Sequence, residues 1–498
     1  MKNIVILGGG ISGLSSAYYL LKSTNAKVTI IEKSKSIGGW IKSHQYDNNI
    51  VLERGPRTIR AYGFAAKSTL NLMHNIGLDD KIIGIKSNDP RATNRYIYYN
   101  NHLHKLPSNI LSLFKRNSLL KNPLLYYIMK ELFTYEKSMY NDKSVYDFFT
   151  QTFGKEIADF IIDPLCKGIY AGNSKKLSSK SCFKDLFDYK NLYGSVILGT
   201  LVSPKKIIYE KNDCHLIKKI KDEKWTLWYL QDGLETLIQN LYNFLIKHYP
   251  DRFNLIINCP VKSININQNL KVATIELQNQ NIVYDYIISA MPSNALSDIL
   301  DYSCITNTKN STILLPLNNE LNKISFVDVV VVNLIYKIEN ITEINLLPKG
   351  FGYLLPSKEN TPLLGTIFDW CLRWKQHNIN EEFPRKINFT CMIGGAWMEN
   401  FFHNVDANDP KLYIDFAIKS IKSHIGIKSD PIFYDVNMLK KCIPQYHVGH
   451  SDILNNIREI IENNNLPIRL VGASYDGISV NDCIHSAKIM CDKISTSF

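Results

Sequence analysis

The sequence lacks the features that mark several common protein classes. None of its ten cysteines forms a C-x-x-C pair, and the first of them is Cys166. That argues against zinc-ribbon and thioredoxin-like motifs, and a chain of 498 residues needs no disulfide staples. The cysteines read as reduced core residues of an intracellular protein. No run approaches the ~18 apolar residues that span a bilayer. The pairs His102/His104 and His447/His450 have no Cys or carboxylate companions at ligand spacing, so no metal site is expected. No secretory leader is visible, and no Arg-rich transit segment precedes the first motif. Any targeting signal is therefore expected inside the folded chain. Repeats, long disordered linkers and basic stretches interleaved with aromatics are missing too, and the last of these argues against a nucleic-acid partner.

What is present is ordinary globular composition, 45% hydrophobic and 21% charged, in a chain long enough for two or three domains. Lys plus Arg outnumber Asp plus Glu by 58 to 46, a formal charge of +12. That excess fits either an anionic partner or a general drift toward lysine.

The chemistry starts at the first residues. Asn3–Leu7 is a continuous apolar run, typical of a strand buried on both faces. Gly8-Gly9-Gly10-Ile11-Ser12-Gly13 follows, then Leu14, Ala17, Tyr18 and Leu21 at helical spacing, then a second apolar run, Lys27–Ile31, ending at Glu32. This predicts a βαβ unit with G-x-G-x-x-G at its first turn. Gly8 allows the turn, Gly10 lets the backbone approach a pyrophosphate, and Gly13 lets the helix pack on the sheet. The helix N-terminus offers free N–H groups to phosphate. Glu32 can accept the hydroxyls of an adenosine ribose, which makes the unit a dinucleotide site.

The next residues choose the dinucleotide. Gly38-Gly39 soon after Glu32 resembles the second signature of the FAD-containing amine oxidase-like superfamily, whereas NAD dehydrogenases continue into a helix. Further blocks narrow the resemblance. Leu52-Glu53-Arg54-Gly55-Pro56-Arg57, Asn94-Arg95-Tyr96, Leu165–Asn173, Gly350–Ser357, Met392–Trp397, Cys442–His450 and Gly472–Ile484 are similar, in order, to segments of the protoporphyrinogen oxidase family. The resemblance covers nearly the whole chain, from Lys2 to about Lys488.

The resemblance implies an α/β chain (mixed α+β) with a Rossmann-like FAD-binding domain of the amine oxidase type. That domain is expected from segments 1–90, 226–296 and 432–498. A mixed-sheet substrate domain is expected from 91–99, 206–225 and 297–431, and a helical membrane-binding domain from 100–205. The implied activity is six-electron oxidation of protoporphyrinogen IX to protoporphyrin IX, with non-covalent FAD as cofactor and O2 reduced to H2O2. No acid or base is expected among the side chains, because forming conjugation drives the loss of hydride.

Carried over by position, Arg95 anchors a propionate, although a surface Arg at a strand start is the competing reading. Phe351 and Leu354 sandwich the pyrroles, Gly352 lets the backbone approach, Met392 forms part of the opposite wall, and Gly168 faces the reacting edge. Arg57 lies beside flavin and entrance, with Arg54 and Arg60 competing for any role read from charge alone. The FAD contacts are Gly8, Gly9, Gly10, Ile11, Ser12, Gly13, Glu32, Lys33, Trp40, Gly55, Pro56, Arg57, Thr58, Val261 (opening a strand to Ile266), Ala473, Ile478, Ser479 and Val480. A helix starting near Val480 would point its N-terminus at the flavin pyrimidine.

In 103–130, large apolar residues mixed with Lys, Arg and Tyr suit a surface that dips into one leaflet, and equally an amphipathic core helix. The family implies a peripheral protein on the intermembrane-space side of the mitochondrial inner membrane, often dimeric, with ferrochelatase as a candidate contact. Two alternatives remain open. One is another flavin oxidase or desaturase of the superfamily, and the other is a non-enzymatic carrier of the type that binds prenylated GTPases.

Overall fold

The computed structural model describes residues 1–47, 50–134, 141–203, 213–267, 272–278, 280–300, 304–306, 314–339, 341–373 and 385–496. Part of the expected 206–225 segment and residues 307–313 of an Asn-rich stretch lie outside these.

Two sheets organise the chain. The first is a five-stranded parallel sheet in the order Phe253–Ile256, Lys27–Ile31, Asn3–Leu7, Tyr286–Ser289, Ile468–Leu470. Its central strand is apolar at consecutive positions because both faces are covered. Ile4 and Ile6 pack toward the Ile11–Ser23, Glu235–His248 and Val480–Ser495 helices, while Val5 and Leu7 pack toward the His450–Asn463 helix. The helix that follows Gly233, Glu235–His248, buries Leu237, Leu241 and Leu245. The Asn-rich stretch 454–466 lies largely on the His450–Asn463 helix, whose Leu454, Ile457 and Ile461 are buried at 3.6-residue spacing.

The second sheet has seven strands, in the order Phe433–Gln445, Ser325–Lys337, Lys386–Gly394, Leu363–Ile367, Gly352–Leu354, Arg95–Tyr99, His102–Lys105. The apolar run Val329–Leu334 is the middle of the 13-residue strand Ser325–Lys337. Phe433–Gln445, expected with the flavin-binding segments, pairs along that strand and so belongs to this sheet, as does His102–Lys105. Alternation at period two divides the faces. Val330, Val332 and Leu334 pack against the Pro410–Ile425 helix, while Val331 and Asn333 face the other way, toward Ala171 and toward Glu53 of the short Val51–Glu53 strand.

The described residues of 110–202 are mostly helical. A buried carboxylate joins them: Glu131 accepts from Val196 N (2.8 Å) and Ser195 Oγ (2.6 Å), which caps the Val196–Val202 helix from the Leu124–Phe133 helix. Buried Lys190 lies 3.6 Å away. No helix among the described residues is long and apolar enough to cross a membrane.

Candidate functional site

The fingerprint loop is built as its sequence predicts. A Cβ on Gly13 would lie 2.0 Å from the carbonyl oxygen of Gly8, so helix and turn can close only over glycine. A Cβ on Gly10 would meet nothing within 4 Å. That space opens in front of the N-terminus of the Ile11–Ser23 helix, where a pyrophosphate fits. Gly9 and Gly38 are stitched together, Gly38 N donating to Gly9 O at 2.8 Å. Glu32 is buried at the end of its strand. Its carboxylate accepts from Gly9 N (2.7 Å) and Ser34 N (2.8 Å), which fixes its oxygens beside the loop with lone pairs to spare for a ribose. Lys33 and Trp40 are exposed on the same rim, and a Cβ on Gly55 would sit 2.1 Å from Trp40 O.

Val261 is not in a strand; the strand begins at Ser263. Val261 instead continues a segment held to the ribose carboxylate's backbone by Cys259 N, which donates to Glu32 O at 3.0 Å. At the far end of the cradle, Ser479 caps the Val480–Ser495 helix by a reciprocal pair with Asp482, leaving that N-terminus at the Ile478–Val480 turn. Tyr446 holds this turn, its hydroxyl bonded to Ala473 O and to Gly477 N.

The three candidate arginines separate cleanly. Arg54 is spent on Asp435 through Nε and Nη2, and Arg60 is exposed over the Tyr62 ring. Arg57 is buried, beside Gly55, Pro56 and Thr58, and its Nη1 donates to Asp369 Oδ2 at 3.0 Å. Its Nε and Nη2 have no partner among the described residues. That is the edge of the fork which Arg54 uses to hold a carboxylate at two points. Two orphaned donors in a dry site require an acceptor, so a flavin or a bound carboxylate fits there. Asp369 was not legible as a functional residue: it lies 312 positions from Arg57, and no local motif marks it.

The substrate candidates share one sheet face. Arg95 is level with Gly352 and Ile367, and Ile97 is level with Leu354, Gly365 and Met392. Arg95 is exposed and makes no ion pair among the described residues. Leu354 packs in the same cluster as Ile97, Tyr170 and the flavin-end residue Ile478. Gly168 lies against it: a Cβ there would be 2.6 Å from Leu354 Cδ2. Phe351 sits at the strip's edge with Ile85, Leu227 and Tyr229. Two expectations change. Met392 does not oppose Leu354; it stands on the same face, two strands along. Gly352 (φ +147) has a requirement of its own in the neighbouring strand, since a Cβ would lie 2.1 Å from Thr366 O before any ligand approaches.

Among the described residues no cluster of His, Cys, Asp or Glu could hold a metal. His450 is buried and stacked on Tyr446 at 4.0 Å.

Comparison with known proteins agrees with this architecture. The family model for flavin containing amine oxidoreductases matches residues 11–495. The chain is 32% identical to the protoporphyrinogen oxidase of Homo sapiens, covering 98% of this chain and 97% of that one. It is 30% identical to that of Schizosaccharomyces pombe, covering 99% of each. A coproporphyrinogen III oxidase of Bacillus subtilis is 25% identical over 98% of this chain and 96% of its own. Among solved structures, cyclohexylamine oxidase from Brevibacterium oxydans superposes with a TM-score of 0.64 at 12% identity, covering 100% and 99%. Reduced UDP-galactopyranose mutase gives 0.66 at 14%, covering 100% and 94%; these two likenesses speak to the fold alone. The loop, the glycine pair, the buried Arg57 and the near full-length identities agree, and the chain belongs to the flavin containing amine oxidoreductases and, within them, to the protoporphyrinogen oxidase family.

Proposed function

We propose that this chain oxidises protoporphyrinogen IX to protoporphyrin IX in three two-electron steps, each passing its electrons to O2 and releasing one H2O2. The observation that carries the reading is the sheet face itself. An exposed cation with no ion pair among the described residues, Arg95, stands at one end of an apolar strip (Ile97, Leu354, Met392) that runs to Ile478 at the flavin cradle. A tetrapyrrole has the matching shape, broad and apolar with two carboxylates on one edge.

Bound FAD supplies the hydride acceptor and its reoxidation by O2. The residues of the chain do the rest. The Gly8–Gly13 loop and the helix behind it hold the pyrophosphate, and Glu32 holds the ribose. Arg95 pairs with a propionate and sets the macrocycle's orientation. Leu354, Phe351 and Met392 exclude water from the reacting carbon and fix it in reach of the cradle. Arg57, oriented by Asp369, presents two donors to charge that gathers at the ring edge. The pyrrole proton leaves to solvent, so no strong base is required.

The same reading extends to the surroundings. Ile110, Leu111, Phe133, Leu192 and Leu201 are exposed on helices and Phe114 just beyond one, with exposed Lys115, Arg116 and Lys121 in the connecting turns and exposed Lys130 on the Leu124–Phe133 helix. Apolar side chains among cations suit one anionic leaflet. We read this as peripheral docking on the intermembrane-space side of the mitochondrial inner membrane. A homodimer and hand-off to ferrochelatase belong to the same proposal, because the product is poorly soluble.

The test is anaerobic mixing of the purified holoprotein with protoporphyrinogen IX. Flavin absorbance is expected to bleach as porphyrin fluorescence rises, and air to restore the flavin with release of peroxide. Bleaching with coproporphyrinogen III and not with protoporphyrinogen IX would overturn the substrate assignment. Light scattering, and pull-down with ferrochelatase, test the assembly.

A further inference from the structure

The helical turns preceding Gly168 carry three buried ionisable residues that the reaction does not use, Asp159, Asp163 and Lys167. They recur every four residues along the Ala158–Ile162 π-turn and the Asp163–Tyr170 helix, so they form one stripe. The whole stripe meets one short segment, the connector between strands Gly352–Leu354 and Leu363–Ile367. Asp159 Oδ2 pairs with Lys358 Nζ at 2.9 Å. Asp163 accepts from Ser357 N at 2.6 Å and from Ser357 Oγ at 3.0 Å, and also from Ser174 Oγ at 2.7 Å. Lys167, fully buried, donates to Thr361 O at 3.3 Å, with its ammonium 4.3 Å from the centre of the Trp397 ring.

Such a stripe is a costly way to hold a helix in place. Buried ions lose hydration, and an apolar stripe of equal volume holds as well or better. Directional partners supply what apolar packing lacks, a single register. The register matters here because the connector follows directly on Leu354 and leads to Gly365, while Gly168 lies in the last turn of the helix. Leu354 Cδ2 is nested between the two glycines: a Cβ on Gly168 would lie 2.6 Å from it, and a Cβ on Gly365 2.7 Å. A slip of the helix by one residue would put a side chain into that gap.

We propose that Asp159, Asp163 and Lys167 are positioning residues, which register the Gly168 helix on the Ser357–Thr361 connector and so set the width of the slot beside Leu354. This rests on the tetrapyrrole reading above. Leu354 holds its place at the edge of the slot only while it keeps its seat against Gly168 and Gly365, so the stripe acts on substrate binding and leaves the flavin cradle untouched.

The experiment compares the holoenzyme with its Lys167→Met, Leu354→Val and doubly substituted variants, using protoporphyrinogen IX. Lys167→Met is expected to raise KM by about tenfold while kcat stays within about twofold and flavin content is unchanged. Because both changes act through one gap, the double variant is expected to show a KM well below the product of the two single effects. An unchanged KM, or effects that simply multiply, overturns the proposal. Lys358→Met, at the solvent end of the stripe, carries the same test if Lys167→Met does not fold. Its KM is expected to rise by about threefold, and an unmoved KM overturns the proposal. Wild-type protein run in parallel separates the failures. Wild type that makes no porphyrin removes the substrate reading, and with it the slot. Wild type that makes porphyrin beside variants of unmoved KM removes the positioning role alone.

Discussion

Arg57 Nη1 donates to Asp369 Oδ2 at 3.0 Å, and both side chains are buried. The Thr390 hydroxyl donates to the same carboxylate oxygen. One fork of Arg57 is thereby tied to the helix that follows strand Leu363–Ile367, and the other has no partner among the described residues.

Removing Asp369 strands that guanidinium. Asp369→Ala is expected to lower stability by about 3–5 kcal/mol, the usual cost of breaking a buried pair from one side, and Asp369→Asn by less. Urea unfolding of the apoprotein measures both. An Asp369→Ala midpoint equal to wild type would show that Arg57 finds another acceptor.

The two loop glycines should fail differently. Gly10→Val places its side chain in open space, so the protein is expected to fold with a near-normal melting temperature and no flavin absorbance near ~450 nm. Gly13→Ala drives a Cβ to 2.0 Å from Gly8 O and is expected to lower the melting temperature itself. Flavin retained by Gly10→Val would refute the cradle.

Arg95 is exposed and makes no ion pair among the described residues, so Arg95→Ala should leave folding and flavin content alone. Loss of a charge-assisted hydrogen bond of about 1.5–3 kcal/mol predicts a KM raised roughly tenfold to a hundredfold. Steady-state porphyrin fluorescence reads it, and an unchanged KM rejects the anchor.

His424 makes stability depend on pH. Burial pushes its pKa down to about 4, and its Nδ1 shares a 2.9 Å hydrogen bond with the Tyr353 hydroxyl behind the substrate strand. The unfolded chain takes up this proton near pH 6.5 and the folded chain does not. The stabilising contribution is therefore whole above pH 6.5 and is lost progressively as pH falls toward 4. His450, also pushed down to about 4 by burial, adds to the same window. Melting temperatures between pH 7.5 and 4.5 should fall, and less steeply for His424→Gln. Equal slopes would exclude His424 as a source.

For the exposed apolar helices, Phe133→Ser with Leu201→Ser is expected to cut binding to anionic vesicles at least tenfold, at about 1.5–3 kcal/mol per buried side chain. Flotation measures this, and porphyrin formation in detergent should be unaffected. Undiminished flotation would place the membrane surface elsewhere.

The sequence alone determined the dinucleotide cradle, because its parts are local. A buried strand, three glycines, a helix start and a carboxylate at the next strand's end are close in the chain, and each residue type has one mechanical use there. The later blocks were legible only as resemblance. Nothing local in Arg95, Gly168, Phe351 or Met392 distinguishes a binding wall from a core. Tertiary structure decided which of Arg54, Arg57 and Arg60 keeps a free edge, that Met392 stands beside Leu354, and that Gly352 answers to Thr366. It also joined Asp369 to Arg57 and the Asp159–Lys167 stripe to the connector. Those pairings are made across hundreds of residues by strand register and helix docking, and no periodicity within a segment encodes its partner.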